Sequence, residues 1–258
     1  DDQLGSPFTD VEQVLSFDPE AAFGARDRAA TRAFLERRYA DAMAEYPEEV
    51  NMTGTYVTLM SGLIDLFGWD LLLTACGEDA ARFGEVANRY ARWMQHYYDA
   101  MAETDIPAVM VHDDMVWTSG AFIHPDWYRK YLFPNYARYI RPLLDAGKKV
   151  LFISDGNYTQ FLGDIAACGF HGFVLEPLTD MAEIAQKYGR THVFIGNADT
   201  RILLGGTPEA IRAEVRRCMD IGKGCPGFFM AVGNHIPANT PVENCLIYEE
   251  AYREMCRR

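Results

Sequence analysis

A repeated alternation beginning at Ala108 constrains this chain more than any other feature. A short apolar run ends in polar residues, an amphipathic stretch of about 10 to 20 residues follows, and a Gly or Pro breaks the pattern before the next run. The runs are AVMVHDD (108–114), KVLFISDG (149–156), GFVLEP (172–177), HVFIGNAD (192–199) and FFMAVGNH (228–235). Each is apolar almost to its end, as a strand covered by helices on both faces must be, and a βα succession of such strands pairs in parallel. Helices are expected at about 125–145, 158–168, 179–188, 207–221 and 240–256. Thr207-Pro208-Glu209 and Thr240-Pro241-Val242-Glu243 read as helix starts, and Gly147, Gly169, Gly189 and Gly222 as helix stops. Upstream, VNMTGTYVTLM is expected to add a strand, ahead of a long Tyr- and Trp-rich helix over 79–103.

These runs make six strands, two short of a closed (β/α)8 barrel. The expectation is one α/β domain over residues 1–258, a TIM barrel whose N-terminal strands lie outside this chain. An open Rossmann-like sheet is the structural alternative, but no GxGxxG follows any of the runs. The 37 acidic residues against 24 basic ones, a net charge of −13, repel phosphate backbones and anionic lipid surfaces. No apolar run is judged long enough to span a membrane, and the acidic start DDQLGSPFTD does not suit a signal peptide, so a cytoplasmic location is expected. The six cysteines form no CxxC pair and read as reduced thiols.

In a (β/α) barrel the chemistry sits at the carboxyl ends of the strands. Those ends carry His112, Asp113 and Asp114; Ser154, Asp155 and Asn157; Glu176; Asn197 and Asp199; Asn234 and His235. Burying so many polar groups costs several kcal/mol unless they are paired, hydrated or bound to a ligand. Alternatives stand beside several of them. Asp155-Gly156-Asn157 is also a turn sequence, and Glu176 before Pro177 also suits a helix cap or an Arg partner. His192 opens its strand, at the end away from such a site, and reads as structural. Trp127 and Tyr128 read as packing, and Asp126 as a residue serving a helix N-terminus. The runs end without Lys or Arg, so the set suits a divalent metal or a neutral or cationic ligand better than a polyanion.

At these residues the chain resembles the uroporphyrinogen decarboxylase superfamily, which also holds zinc methyltransferases that work with corrinoid proteins. The resemblance is carried by GTYVTLMSGLID, HDDMVWTSGAFIHPDWYRKYLFPNY, FISDGN, YGRTHVFIGNADTRILLGGTPEAIRAEV and GNHIPANTPVEN, in that order. It implies a barrel enzyme. The decarboxylase branch holds its substrate's acidic arms with Arg residues of an N-terminal motif that this sequence lacks. The methyltransferase branch carries zinc-binding His-x-Cys and Cys positions that match Ile153, Asp155 and Asn234 here, so its thiolates are absent. The expectation drawn is a methyltransferase moving a methyl group between a small compound and a corrinoid carried by a partner protein. A porphyrin-type decarboxylase is the alternative, and a tetrapyrrole or methylated-ligand binding protein the non-enzymatic one. Expected roles are catalytic for His112, Asp113, Asp155 and Asp199, and substrate-binding for Tyr56, Asp114, Ser154, Asn157, Asn197 and Asn234. His112, Asp155, Glu176 and His235 are expected to hold a divalent metal, zinc being the family's choice. A homo-oligomer is compatible with this reading; nucleic acid and membrane are not expected partners.

Overall fold

A computed structural model describes residues 6–256. Its six strands are β1 (Thr53–Thr55), β2 (Ala108–His112), β3 (Lys149–Ser154), β4 (Gly172–Leu175), β5 (Val193–Ala198) and β6 (Phe228–Val232). They follow chain order in the sheet. The recorded ladders are parallel: Gly54 lies opposite Met110, Phe173 opposite Phe194, and Asn197 opposite Ala231. Every run read as a strand from its apolar continuity is one, and VNMTGTYVTLM contributes the short β1.

The chain divides into two compact units. The first comprises the residues up to Met115, Ala121–Phe152 and Gly163–Phe170. Its helices are α1 (Val11–Leu15), α2 (Pro19–Phe23), α3 (Arg28–Glu45), α4 (Leu59–Glu78), α5 (Ala80–Ala102), α6 (Pro125–Trp127), α7 (Phe133–Asp145) and nearly all of α8 (Leu162–Cys168), and a π-helical turn over Tyr128–Leu132 joins α6 to α7. Its core is aromatic: Phe83, Tyr98, Tyr136 and Tyr139 have no significant exposure, and Tyr98 stacks on Tyr139 at 4.5 Å between ring centres. Trp127 and Tyr128 are core residues, as the sequence suggested, with the Tyr128 hydroxyl donating to Met115 O at 2.7 Å.

α4 departs from the expectation that no run is long and apolar enough for a membrane. It has 20 residues and a mean hydropathy of 1.4 over its best stretch, half of which is buried within the protein. It packs against α5, and Asp65, Asp70 and a break at Gly68 (φ +71°) interrupt it. Two acids and a break obscure its length when only continuous apolar runs are counted, and its packing is that of a core helix.

The second unit comprises Val116–Gly120, Ile153–Leu162 and the described residues from His171 on, with helices α9 (Met181–Tyr188), α10 (Thr200–Gly205), α11 (Pro208–Gly222) and α12 (Val242–Met255). α11 buries Ile211, Val215, Cys218 and Met219 and packs against β5, β6 and α12. The predicted cap at Thr207 is made, its hydroxyl accepting from Ala210 N–H at 3.3 Å. The cap predicted at Thr240 is not. α12 begins one residue later, with Pro241 at the cap position and no side-chain cap bond. His192 opens β5's segment, bonds Thr191 Oγ1 at 2.8 Å and stacks on Phe173, a packing role.

Candidate active site

In the first unit the C-terminal end of β2 is fastened to the start of α4 through three consecutive residues. The Thr58 hydroxyl donates to His112 O at 2.8 Å, and the Ser61 hydroxyl accepts the Asp114 N–H at 2.8 Å. Between them the Asp113 carboxylate accepts the N–H groups of Met60 (2.9 Å) and Ser61 (2.7 Å) and the Tyr136 hydroxyl. These are orphan donors of a helix start, where a carboxylate is also favoured by the helix dipole. Asp113 has 0% exposure, and burial pushes its carboxyl above the usual range against the opposing pull of those hydrogen bonds. Read from the sequence as catalytic, Asp113 is instead a buried capping group with no surface to offer a substrate.

His112 and Asp114 sit differently. His112 Nδ1 lies 2.6 Å from Tyr56 O, and a carbonyl only accepts, so Nδ1 carries a proton. That leaves Nε2, 3.2 Å from Asp114 Oδ1, as the nitrogen at which a proton is gained or lost. The Tyr56 ring stacks on the imidazole at 4.5 Å, 11° from parallel, and Tyr56 is 72% exposed. Tyr56, His112 and Asp114 thus form one accessible group. Asp65, whose carboxyl is raised first by burial and then by the charge of Asp114, adds a further acid to this region.

In the second unit the ends of β3, β4 and β6 meet through one amide. Asn234 Nδ2 donates to Glu176 Oε1 at 2.7 Å and to Asp155 Oδ2 at 3.3 Å, while its Oδ1 accepts the His235 N–H at 2.7 Å. The other Glu176 oxygen accepts the Gly156 N–H at 2.8 Å. Gly156 has φ +79°, and a Cβ there would stand 2.7 Å from Trp117 O, so only glycine fits this turn. Thr179 ties the loop down, accepting from Tyr158 N–H and donating to Gly156 O. Asp155-Gly156-Asn157 is therefore both the turn and part of the site. Asn157 Oδ1 accepts the Thr159 N–H, and the Ser154 hydroxyl donates to Asp155 O.

Asn197 is 1% exposed and donates to the carbonyls of Glu176 and Thr179, which gives it a bracing role rather than substrate contact. Its own oxygen accepts from Arg217 at 2.9 Å, and Arg217 also pairs with the buried Glu214 at 2.7 Å. Asp199, read as catalytic, caps α10 and pairs with Arg201 at 2.6 Å, and that hydrogen bond holds its carboxyl below the usual range. So the reading of strand ends free of cations is corrected. Arg201 follows Asp199 by two residues, and Arg217 arrives from α11, 20 residues after Asn197; both are committed to acids beside them. The His235 ring is exposed and makes no hydrogen bond or ion pair among the described residues.

Of the four expected metal residues, Asp155 and Glu176 come together in the second unit, His235 does not join them, and His112 belongs to the first unit. A thiolate zinc centre does not fit: Ile153, Asp155 and Asn234 carry no sulfur, and the Asn234 amide aims its N–H groups at the carboxylates. Only oxygen and imidazole donors are available, a set for a harder divalent ion. Sequence reading missed Thr58, Ser61, Tyr136, Thr179 and Arg217. Thr58, ahead of an apolar run, was a visible N-cap candidate; the long-range partners had no local signal.

Parallel strands joined by helices, with accessible imidazole and carboxylate groups at strand ends, define an α/β domain of the barrel kind. The uroporphyrinogen decarboxylase (URO-D) family profile matches residues 39–255, and the chain belongs to this family. Curated relatives include uroporphyrinogen decarboxylases of Syntrophotalea carbinolica, 30% identical over 148 residues, and Actinobacillus succinogenes, 32% identical over 165 residues. These alignments take in 57% and 61% of this chain but 41% and 44% of the relatives, so less than half of each relative's length is matched. Among solved structures, a methyltransferase from Methanosarcina mazei superposes on 97% of this chain and 71% of its own, with a TM-score of 0.68 at 19% identity. A B12-independent methionine synthase from Shewanella sp. W3-18-1 covers 90% of this chain and 66% of its own, with a TM-score of 0.56 at 9% identity. These two likenesses establish a shared fold.

Proposed function

We propose that this chain is the catalytic domain of a methyltransferase that moves a methyl group between a small neutral or cationic compound and a corrinoid held by a partner protein. One observation carries the reading: the Asp155 and Glu176 carboxylates are held together at strand ends by the neutral Asn234 amide. Two carboxylates grouped at strand ends suit a cationic or neutral ligand and oppose a polycarboxylate such as uroporphyrinogen by Coulomb repulsion.

In the second unit, Asn234 and Gly156 orient the two carboxylates, which bind and position the methyl-bearing compound. In the first unit, His112 Nε2, with Asp114 Oδ1 3.2 Å away, is a nitrogen that can take up or release a proton, and it is the candidate general acid of the reaction. Corrinoid chemistry supplies a strongly nucleophilic cobalt that accepts the methyl group. A divalent ion, if the enzyme uses one, would take carboxylate oxygens of Asp155 and Glu176 in the second unit and would polarise the leaving atom.

The test is methyl transfer to free cob(I)alamin from a panel of methoxylated and methylated compounds, read from the visible spectrum. Transfer by the native protein, with Asp155→Ala and His112→Ala each lowering the rate by about 100-fold or more, supports the reading. Rates untouched by both substitutions defeat it. Metal analysis of the same preparations tests the ion separately: metal content that neither substitution changes removes these donors from consideration. The names of the curated relatives favour a second reading, uroporphyrinogen decarboxylation, and turnover of that substrate would establish it.

A further inference from the structure

The Asp155 and Glu176 carboxylates stand on the loops that follow β3 and β4, and a chain of hydrogen bonds connects those loops to α11. Arg217 Nε donates to Glu214 Oε2 at 2.9 Å, and the two hydrogens of its Nη2 divide between Glu214 Oε1 at 2.7 Å and Asn197 Oδ1 at 2.9 Å. Glu214 is buried, and its Oε1 also accepts the Asp199 N–H at 2.9 Å, which ties the end of β5 to the helix. Because Asn197 Oδ1 faces a group that only donates, the amide turns Nδ2 the other way, toward carbonyls that only accept: Glu176 O at 3.1 Å and Thr179 O at 3.3 Å. The Thr179 hydroxyl donates to Gly156 O at 2.9 Å, and the Gly156 N–H donates to Glu176 Oε2 at 2.8 Å. Ala198 O accepts the Gly233 N–H at 2.8 Å, one residue before the Asn234 amide that joins the two carboxylates. Every link lies within the second unit.

We propose that Arg217 is a positioning residue for the carboxylate pair: clamped by Glu214, it fixes the Asn197 amide, and that amide fixes the two loops on which Asp155 and Glu176 are spaced. The position calls for a guanidinium. Its planar fork bonds a carboxylate twice and keeps a further hydrogen for Asn197, whereas a lysine ammonium holds the charge pair without that geometry. Arg212, on the same helix, pairs instead with Glu250 and Glu254 of α12, both at 3.1 Å, and serves as the control. That the pair acts on a methyl-bearing compound rests on the function proposed above; its geometry does not.

The experiment follows hydrogen exchange of the Gly156 N–H and the side-chain amide resonances of Asn234 by NMR, in protein without substrate. Arg217→Lys should raise the Gly156 exchange rate by about 10-fold or more and shift the Asn234 resonances, with the melting temperature close to native. Glu214→Gln, equal in shape, loosens the clamp and should give a smaller change of the same sign; it carries the test alone should Arg217→Lys fail to fold. Arg212→Ala should leave both readouts native. Native exchange and native Asn234 resonances in the folded Arg217 variant, or in Glu214→Gln where that variant decides, overturn the proposal, as does an equal change in Arg212→Ala. Neither readout needs methyl transfer, so a native protein that transfers no methyl group defeats the proposed function and leaves the exchange rates to decide this inference.

Discussion

Asp113 and His112 are neighbours in sequence with opposite fates, and the difference is access. Asp113 spends its oxygens on three donors and is sealed from solvent; His112 keeps Nε2 beside the half-exposed Asp114. Replacing Asp113 with Ala leaves the Met60 and Ser61 N–H groups and the Tyr136 hydroxyl without their acceptor. A destabilisation of about 3 kcal/mol is expected in urea unfolding, since each unsatisfied buried group costs roughly 1–3 kcal/mol and such losses are not additive. His192 gives a pH prediction. Burial holds its imidazole below the usual value, so the folded state prefers the neutral ring. The unfolded chain then binds the proton first, and stability is full above the ordinary histidine range and falls as pH drops through it toward the lowered folded value. His192→Phe should make the decline in melting temperature over that acidic window shallower; an identical decline would place the sensitivity elsewhere.

At the scale of elements, Thr207-Pro208 and Thr240-Pro241 look alike in sequence and differ in structure. Thr207→Ala should cost about 1 kcal/mol because its hydroxyl caps α11, whereas Thr240→Ala should cost less, its hydroxyl having no hydrogen-bond partner among the described residues. Paired urea midpoints check this, and equal losses would contradict the capping assignment. The five strands after Ala108 were legible because a buried parallel strand must be continuously apolar, a property carried by adjacent residues. Capping was only half legible, since where a helix begins depends on the path of the preceding loop. In the site, Asp155, Glu176 and Asn234 were found because strand ends converge by rule. The demotion of Asp113, Asp199 and Asn197 to bracing was hidden because their partners, Met60, Tyr136, Arg201 and Arg217, are fixed by tertiary contacts or by the conformation of the turn.

At the scale of the whole molecule, family and fold come from the chain as a whole, and chemistry from a few strand-end residues. The same family includes decarboxylases that share under half their length with this chain, and the fold is shared with a methyltransferase. The discriminating physical quantity is the charge a substrate would meet, and in the second unit the strand ends offer it the Asp155 and Glu176 carboxylates. The most direct measurement offers the protein uroporphyrinogen together with a panel of methylated compounds and cob(I)alamin, following carbon dioxide release and the cobalamin spectrum in one vessel. Methylcobalamin formed without carbon dioxide is the predicted result. Carbon dioxide released from uroporphyrinogen, with the cobalamin spectrum unchanged, would contradict it.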